Sequence, residues 1–150
     1  HKNSYVGRTF IKPTQEEREN SVRIKLNILE PAVRGKRIVL VDDSIVRGTT
    51  MKNLIRMLKQ AGAKEVHVRV SSPPFLFPCY FGTDVPSNKQ LIASSHSVEE
   101  ICREIGADSL GYMPVEDLEE MAGGLPLCTA CFTGNYPMDV PDGEIKDALE

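Results

Sequence analysis

The chain has 150 residues, with 18 Lys and Arg against 21 Asp and Glu, a formal net charge of -3 and 41% hydrophobic residues. This length suits one domain, and the ordinary hydrophobic content argues against a disordered chain. The near-balanced charge gives no footprint for nucleic acid, and no apolar stretch is long enough to predict a membrane-spanning helix. Four cysteines without an apolar N-terminal signal indicate a reducing, cytoplasmic compartment, where metal or thiol chemistry is more common than disulfides.

The N-terminal part predicts a polar loop followed by a strand. The chain begins with His1 rather than Met, which indicates a segment of a longer protein. Residues 5–20 are polar and contain Pro13, so we predict a mobile loop there. Residues 22–28 alternate apolar and polar side chains, the period-two pattern of a half-buried strand.

A strand–helix–strand unit is predicted next. Residues 38–41 are a continuous run of β-favouring apolar residues, typical of a parallel strand that is buried on both faces. A helix is predicted from about Thr50 to Ala61, with Gly62 at the left-handed position that ends it. Residues 66–70 alternate again and predict a second strand, so the three elements form a βαβ unit.

The second half of the chain predicts shorter elements around one well-marked helix. Ser97 and Glu100 have the spacing of a capping box, which opens a helix that ends near Ile105. The other predicted elements are a loop at 71–90, short strands at 91–93 and 109–112, a helix at 114–121 and an irregular tail after Gly124. Together with the βαβ unit, these elements predict an α/β fold, a parallel sheet with flanking helices.

The strongest functional signal is the turn between the first parallel strand and its helix. Asp42 and Asp43 end the strand, and small and hydroxylic residues follow. Free amide groups at a helix start attract phosphate, and Gly48 lets a backbone approach closely. Carboxylates beside a phosphate site suit sugar hydroxyls or a divalent cation, so the pattern predicts a ligand that combines phosphate, ribose and Mg²⁺. The alternative is a strand end whose acids only cap the following turn.

This segment resembles the phosphoribosylpyrophosphate (PRPP) motif of type I phosphoribosyltransferases. The resemblance implies that Asp42 and Asp43 bind ribose and Mg²⁺ and take part in catalysis. It also implies that the turn binds the phosphate of PRPP. The turn consists of Ser44, Ile45, Val46, Arg47, Gly48, Thr49 and Thr50.

Further stretches resemble the amidophosphoribosyltransferase family, in its iron–sulfur type, and this resemblance runs over nearly all of residues 3–140. The stretches are residues 5–11, 71–74, 78–82, 94–101 and 128–134. The resemblance implies that residues 1–140 are the C-terminal portion of an incomplete type I phosphoribosyltransferase fold, followed by an acidic tail at 141–150. Within that portion it implies a flexible loop at 5–20 that contains a catalytic Arg8, and a PRPP-binding strand, loop and helix at 38–61.

The family resemblance also implies an activity. The whole enzyme would transfer glutamine-derived ammonia to PRPP, giving 5-phosphoribosylamine and pyrophosphate in purine synthesis. It would be a homo-oligomer inhibited by purine nucleotides, with an N-terminal glutaminase domain that this chain lacks. The chain alone is therefore expected to be inactive.

The cysteines form a second candidate site. Cys79, Cys128 and Cys131 lie in predicted loops, and three loop cysteines indicate thiolate ligation of iron–sulfur or zinc, or redox chemistry. Cys102 falls on the apolar face of a helix and is interpreted as a core residue. The family resemblance implies that the three loop cysteines bind a 4Fe–4S cluster whose fourth ligand lies upstream of this chain, with zinc as the alternative metal.

Two other functions remain open from the sequence. One is a non-catalytic PRPP- or nucleotide-sensing regulatory domain, which would be expected to have a basic face or an attached DNA-binding segment. The other is a structural iron–sulfur or zinc protein in which the PRPP turn is vestigial. His67, on a strand, and His96, in a loop, are weak candidates for a catalytic base.

Overall fold

The computed structural model describes residues 28–82 and 88–140. In these ranges three parallel strands, β1 (Arg37–Asp42), β2 (Glu65–Val70) and β3 (Ser109–Tyr112), form a sheet in the order β1-β2-β3. The predicted loop at 5–20 with its Arg8, most of the predicted strand at 22–28 and the tail at 141–150 lie outside the described residues. The predicted α/β class, a parallel sheet with flanking helices, is confirmed.

The helices flank this sheet and follow the order of the chain. They are α1 (Glu30–Val33), α2 (Thr49–Gln60), α3 (Val98–Ile105), α4 (Val115–Met121) and α5 (Ala130–Thr133). Two 3-10 helices, Asn88–Gln90 and Ile92–Ser94, precede α3. Within the described ranges, none of the helices combines the length and the apolar character that crossing a membrane requires.

The core lies between one face of the sheet and the helices α2 and α3. Successive side chains of a strand point to opposite faces, and the alternate valines of β2 all point to the core. On α2 and α3 the buried residues recur at intervals of three and four, as one face of a helix requires. The buried core residues are Ile45, Met51, Ile55, Leu58, Ala63, Val66, Val68, Val70, Ile101 and Ile105.

The opposite face of β1 is open in the part of the chain that is described. Val39 and Val41 are 64% and 68% exposed, while Ile38 and Leu40 pack against the core. The prediction that residues 38–41 are buried on both faces is therefore wrong for the described structure. An apolar run shows only that both faces of a strand could be buried. It does not show whether another part of the chain covers the second face.

Local end signals of the helices were predicted well. Ser97 Oγ accepts a hydrogen bond from the Glu100 amide at 3.3 Å, and Glu100 Oε2 accepts one from the Ser97 amide at 2.8 Å, which completes the capping box of α3. Gly62 follows α2 with φ of 91°. Pro114, predicted inside the first turn of α4, lies one residue before it as the N-cap.

The predicted strand at 91–93 is wrong, because Leu91 is the N-cap of the 3-10 helix Ile92–Ser94. The Ile92 amide donates to the Val46 carbonyl at 2.9 Å, and Ser94 Oγ donates to the Leu91 carbonyl at 2.7 Å. These bonds use the Ile92 amide and the Leu91 carbonyl, which a strand would need for pairing with a neighbouring strand. Leu91 is buried against Phe75 in a second, smaller core cluster, so its apolar character reflects that contact.

The tail after Gly124 is only partly irregular, which corrects the prediction at one point. Residues 125–129 have no helix or strand, but Ala130–Thr133 forms the single turn α5. Gly134 ends this turn with φ of 79°, and a Cβ added there would lie 3.0 Å from the Phe77 ring. One turn of helix is too short to leave a periodic pattern in the sequence.

Candidate functional site

The two acidic residues lie at the carboxyl end of the sheet, where open α/β folds bind ligands. Asp42 pairs with Val70 as the last residue of β1, and the Ser71 amide donates to the Asp42 carbonyl at 3.0 Å. The Asp43 amide donates to Asp42 Oδ1 at 3.0 Å, and Ser44 Oγ donates to Asp43 Oδ1 at 2.9 Å. The backbone of Asp42 is thus held by β2 and by Ser71, which follows it, and the two carboxylates accept hydrogen bonds from their own neighbours.

The carboxylate of Asp42 is electrostatically uncompensated in the described part of the chain. Burial raises the pKa of Asp42, the charge of Asp43 adds to this, and the hydrogen bond from the Asp43 amide opposes it. Among the described residues, the ion pairs include neither acid. The side-chain hydrogen bonds of the two acids go to the Asp43 amide and the Ser44 hydroxyl, which are local contacts that the alternative of a turn-capping pair also predicts. A bound cation or hydroxyl donor would relieve the cost of holding this charge.

The turn after the acids is held in place by the main core and by the segment at residues 88–94. Ile45 is buried in the main core, which anchors the first half of the turn. The Val46 carbonyl accepts the hydrogen bond from the Ile92 amide, and the Arg47 guanidinium donates to the Gln90 side-chain amide. The short 3-10 segment around residues 88–94 therefore supports the turn.

Gly48 is the point at which the turn becomes a helix. It is buried, has φ of 76° and is the N-cap of α2. A Cβ added there would lie 3.0 Å from Ile92 Cδ1 and 3.5 Å from Ile105 Cγ2. The position therefore requires glycine for its backbone and for the space around it.

The first turn of α2 is left open to an anion. In the described structure no side chain caps it, whereas α3 has a complete capping box. The first amides of a helix have no partner within the helix, so they must find a side chain, water or a ligand. These amides stand at the positive end of the dipole of a 12-residue helix, next to the acidic pair, and a helix start of this kind can accept an anion.

Sequence reasoning missed the groups that support this site from other parts of the chain. Gln90 and Ile92 carry no pattern of their own, because their role depends on the tertiary contact with the turn. Ser72 Oγ and Tyr112 OH are buried without a hydrogen-bond partner among the described residues. Tyr112 pairs with Val70 in the same row of the sheet as Asp42, and burial raises its pKa to about 12, so the phenol stays neutral.

The other two loop cysteines act electrostatically on Cys131. Burial raises the pKa of the Cys131 thiol, the neighbouring Cys79 and Cys128 raise it further, and a backbone hydrogen bond lowers it. The amides of Leu76 and Phe77 both donate to the Cys131 carbonyl, at 2.9 and 3.0 Å, so the segment before Cys79 is tied to α5. The described residues nevertheless contain no group of three or more His, Cys, Asp or Glu arranged to hold a metal ion.

The remaining candidates occupy the positions expected of them in most respects. Cys102, predicted to be a core residue, is only half-buried on α3 and belongs to neither described core cluster, and its thiol donates to the Ala107 carbonyl at 3.3 Å. His67 lies on the sheet face away from the core, where its ring nitrogens contact Ser109 Oγ at 2.9 Å and Glu65 Oε2 at 3.0 Å. His96 is exposed in the turn before α3.

Comparison with known proteins relates this chain to phosphoribosyltransferases. The phosphoribosyl transferase domain family matches residues 4–72. An amidophosphoribosyltransferase of Archaeoglobus fulgidus is 57% identical over 149 residues, which are 97% of this chain and 33% of that protein. The Bacillus subtilis amidophosphoribosyltransferase is 54% identical over 145 residues, 93% of this chain and 30% of that protein.

The solved structures agree with the sequence comparison. Glutamine PRPP amidotransferase of B. subtilis, complexed with ADP and GMP, superimposes with a TM-score of 0.81 at 50% identity, covering 99% of this chain and 34% of that one. The fold is therefore that of the phosphoribosyltransferase part of these enzymes. The chain spans about a third of the length of the relatives it matches.

We predict that Gly48→Ala destabilises the protein more than a left-handed backbone alone explains. A left-handed conformation costs an L-residue about 1–2 kcal/mol, and the new Cβ would also displace Ile92. The matched control is Gly106→Ala, since Gly106 also has φ of 76° but has nothing within 4 Å of an added Cβ. Chemical denaturation measures both losses in the free energy of unfolding, and equal losses would contradict the role of the Ile92 contact.

We also predict that Asp42→Asn stabilises the protein while impairing ligand binding. A carboxyl whose folded-state pKa is raised stabilises the fold while protonated, and this contribution is lost as the pH rises through the raised pKa. The substitution should therefore raise the melting midpoint at neutral pH, by on the order of 1 °C, and have little effect near pH 3. The control is Asp117→Asn on exposed α4; a lower midpoint for Asp42→Asn at neutral pH would refute the prediction.

Proposed function

We propose that this chain supplies the PRPP-binding part of an amidophosphoribosyltransferase. The premise is that the chain belongs to this family over the span it shares with those enzymes. The whole protein would transfer ammonia, released from glutamine by a glutaminase domain, to PRPP. The observation that carries the proposal is the acidic pair at the end of β1, followed within six residues by a buried glycine that starts an uncapped helix. A ligand that carries both sugar hydroxyls and a phosphate can contact both features at once.

In this proposal the 5′-phosphate of PRPP binds the first amides of α2. Hydroxyl groups of Thr49 and Thr50 lie in the same turn and supply further donors, and that of Ser44 would join them by giving up its bond to Asp43. The ribose hydroxyls donate to the carboxylates of Asp42 and Asp43, which among the described residues have no cationic partner. The turn is held by Ile45, so the ligand would bind a site whose backbone is already in place.

The reaction breaks the bond between the anomeric carbon of ribose and the pyrophosphate oxygen, and the electron pair leaves with pyrophosphate. The lone pair of ammonia forms the new carbon–nitrogen bond, and the nitrogen then loses a proton to give 5-phosphoribosylamine. Positive charge develops on the sugar ring as the leaving group departs. Two fixed carboxylates beside the ring stabilise that charge more than they stabilise the neutral sugar.

The donor set of this site suits Mg²⁺. Mg²⁺ in proteins is commonly held by one or two carboxylates together with oxygens of a phosphate-bearing substrate, and Asp42 and Asp43 offer such carboxylates. When bound, the ion would neutralise charge on the pyrophosphate group. A purine nucleotide also carries a ribose and a 5′-phosphate, so we include competition by purine nucleotides in the proposal.

We extend the proposal to the cysteines, as ligands of a 4Fe–4S cluster completed by a residue outside the chain. Its support is that Cys79 and Cys128 both raise the pKa of the Cys131 thiol beyond the effect of burial, and thiolates are the usual ligands of such clusters. The hydrogen bonds from the Leu76 and Phe77 amides to the Cys131 carbonyl hold the segment before Cys79 against the segment that contains Cys131. Homo-oligomer formation remains an expectation from the family resemblance.

Asp43→Asn tests the proposed activity. Loss of a charge-assisted hydrogen bond to ribose should lower kcat/KM for PRPP about 10- to 100-fold, measured as ammonia-dependent pyrophosphate release by the full-length protein. The control is Asp117→Asn, which should leave the rate unchanged. Undiminished turnover in Asp43→Asn would refute the role of this acid, and PRPP binding without turnover in the wild type would favour a regulatory domain.

Metal analysis tests the cysteines independently of activity. After anaerobic purification the full-length protein should contain about four iron atoms and four sulfides per chain, as a 4Fe–4S cluster requires. Cys131→Ser should lose most of this iron, and Cys102→Ser, which changes a thiol that donates to the Ala107 carbonyl just after α3, should retain it. Zinc in place of iron, or equal iron in both variants, would contradict the proposed cluster.

A further inference from the structure

The three loop cysteines come from two segments that are far apart in the sequence. Cys79 lies in the segment that follows β2, whereas Cys128 lies just before α5 and Cys131 lies within it. The spacing between Cys128 and Cys131 is set locally, by this one turn of the chain. The distance from Cys79 to that pair depends instead on contacts between the two segments.

One set of contacts holds the part of the first segment that precedes Cys79. Two backbone amides of this part, ending with that of Phe77, donate to the Cys131 carbonyl. The rings of Phe75 and Phe132 lie with their centroids 5.0 Å apart and their planes tilted by 50°. These contacts fix the approach of the segment to α5, and they end at Phe77, before Cys79 is reached.

The side chain of Tyr136 contacts the chain on both sides of Cys79. Its hydroxyl donates to the Pro78 carbonyl at 2.8 Å, and this carbonyl belongs to the peptide bond that joins Pro78 to Cys79. Its ring lies edge-on to that of Tyr80, with the ring centroids 5.4 Å apart, and its centroid is 6.3 Å from that of Phe81. A single side chain therefore holds the residues immediately before and after this cysteine.

The turn after α5 sets the position of Tyr136. Gly134 ends the helix in the left-handed conformation, with φ of 79°. The Asn135 amide then donates to Thr133 Oγ1 at 3.2 Å, which ties the start of the outgoing chain back to the helix. Tyr136 follows directly and is half-buried. Its place is therefore fixed relative to the same turn of helix that carries Cys131.

We propose that Tyr136 is a positioning residue for the cysteine site, which fixes the distance of Cys79 from the pair Cys128 and Cys131. The inference rests on the cysteine ligands included in the proposed function, and it adds a residue that does not itself bind the metal. Groups that orient the ligands of a metal site affect its stability strongly. The hydroxyl is the part that matters most, since a phenylalanine ring would keep the aromatic packing but lose the hydrogen bond to Pro78.

Tyr136→Phe in the full-length protein, purified anaerobically, tests this role. With an excess of an iron chelator, the variant should lose iron about three- to tenfold faster than the wild type, the factor expected from one neutral hydrogen bond. The resonance Raman bands of the iron–thiolate bonds should also change, because the Cys79 thiolate is held less firmly. Tyr136→Leu should lose iron faster still, since it also removes the ring contacts with Tyr80 and Phe81.

Gly106→Ala is the matched control for a general loss of stability. Gly106 has φ of 76° and lies at the end of α3, outside the segments that carry the three loop cysteines. This variant should lose iron at the wild-type rate and keep the wild-type Raman bands. Wild-type behaviour of Tyr136→Phe in both measurements, or the same changes in Gly106→Ala, would overturn the proposal. A wild type without iron would refute the cluster and this inference together, so analysis of the wild type separates the two failures.

Discussion

The left-handed backbone of Gly48 is the constraint on which the candidate site depends, because the chain passes there from the end of β1 into α2. The residue is buried against Ile92 and Ile105, so backbone conformation and packing demand the same amino acid. Its position brings the uncapped start of a helix next to two carboxylates whose backbone is tied to β2. The chemistry proposed for the site follows from this placement, since amides and acids that lay further apart could not contact one sugar phosphate.

Sequence reasoning was most successful where a feature is encoded by neighbours along the chain. The capping box of Ser97 and Glu100, the glycine after α2 and the strand at 109–112 depend on local spacing, and all three are present. The acidic pair and its turn were also identified, because strand, acids, glycine and helix follow one another without interruption. Which of these residues bind a ligand was inferred from a resemblance and remains a prediction.

The features that could not be predicted depend on contacts between distant segments. Leu91 looks like part of a strand, but its burial against Phe75 and the bond from Ile92 to Val46 make a 3-10 turn that supports the PRPP turn. Val39 and Val41 look like a strand with two covered faces, yet only the face toward α2 and α3 is covered in the described residues.

The contrast between the two helix ends has a dynamic consequence. α3 carries its own cap and needs no help to keep its first turn, whereas α2 begins with amides that lack a side-chain partner in the described structure. The first turn of α2 should therefore open more readily than the rest of the helix, and its amide protons should exchange with solvent faster. A phosphate-bearing ligand bound at this turn would slow that exchange, because it stabilises the closed form. The exchange rate of these amides would therefore report how much of the site is occupied.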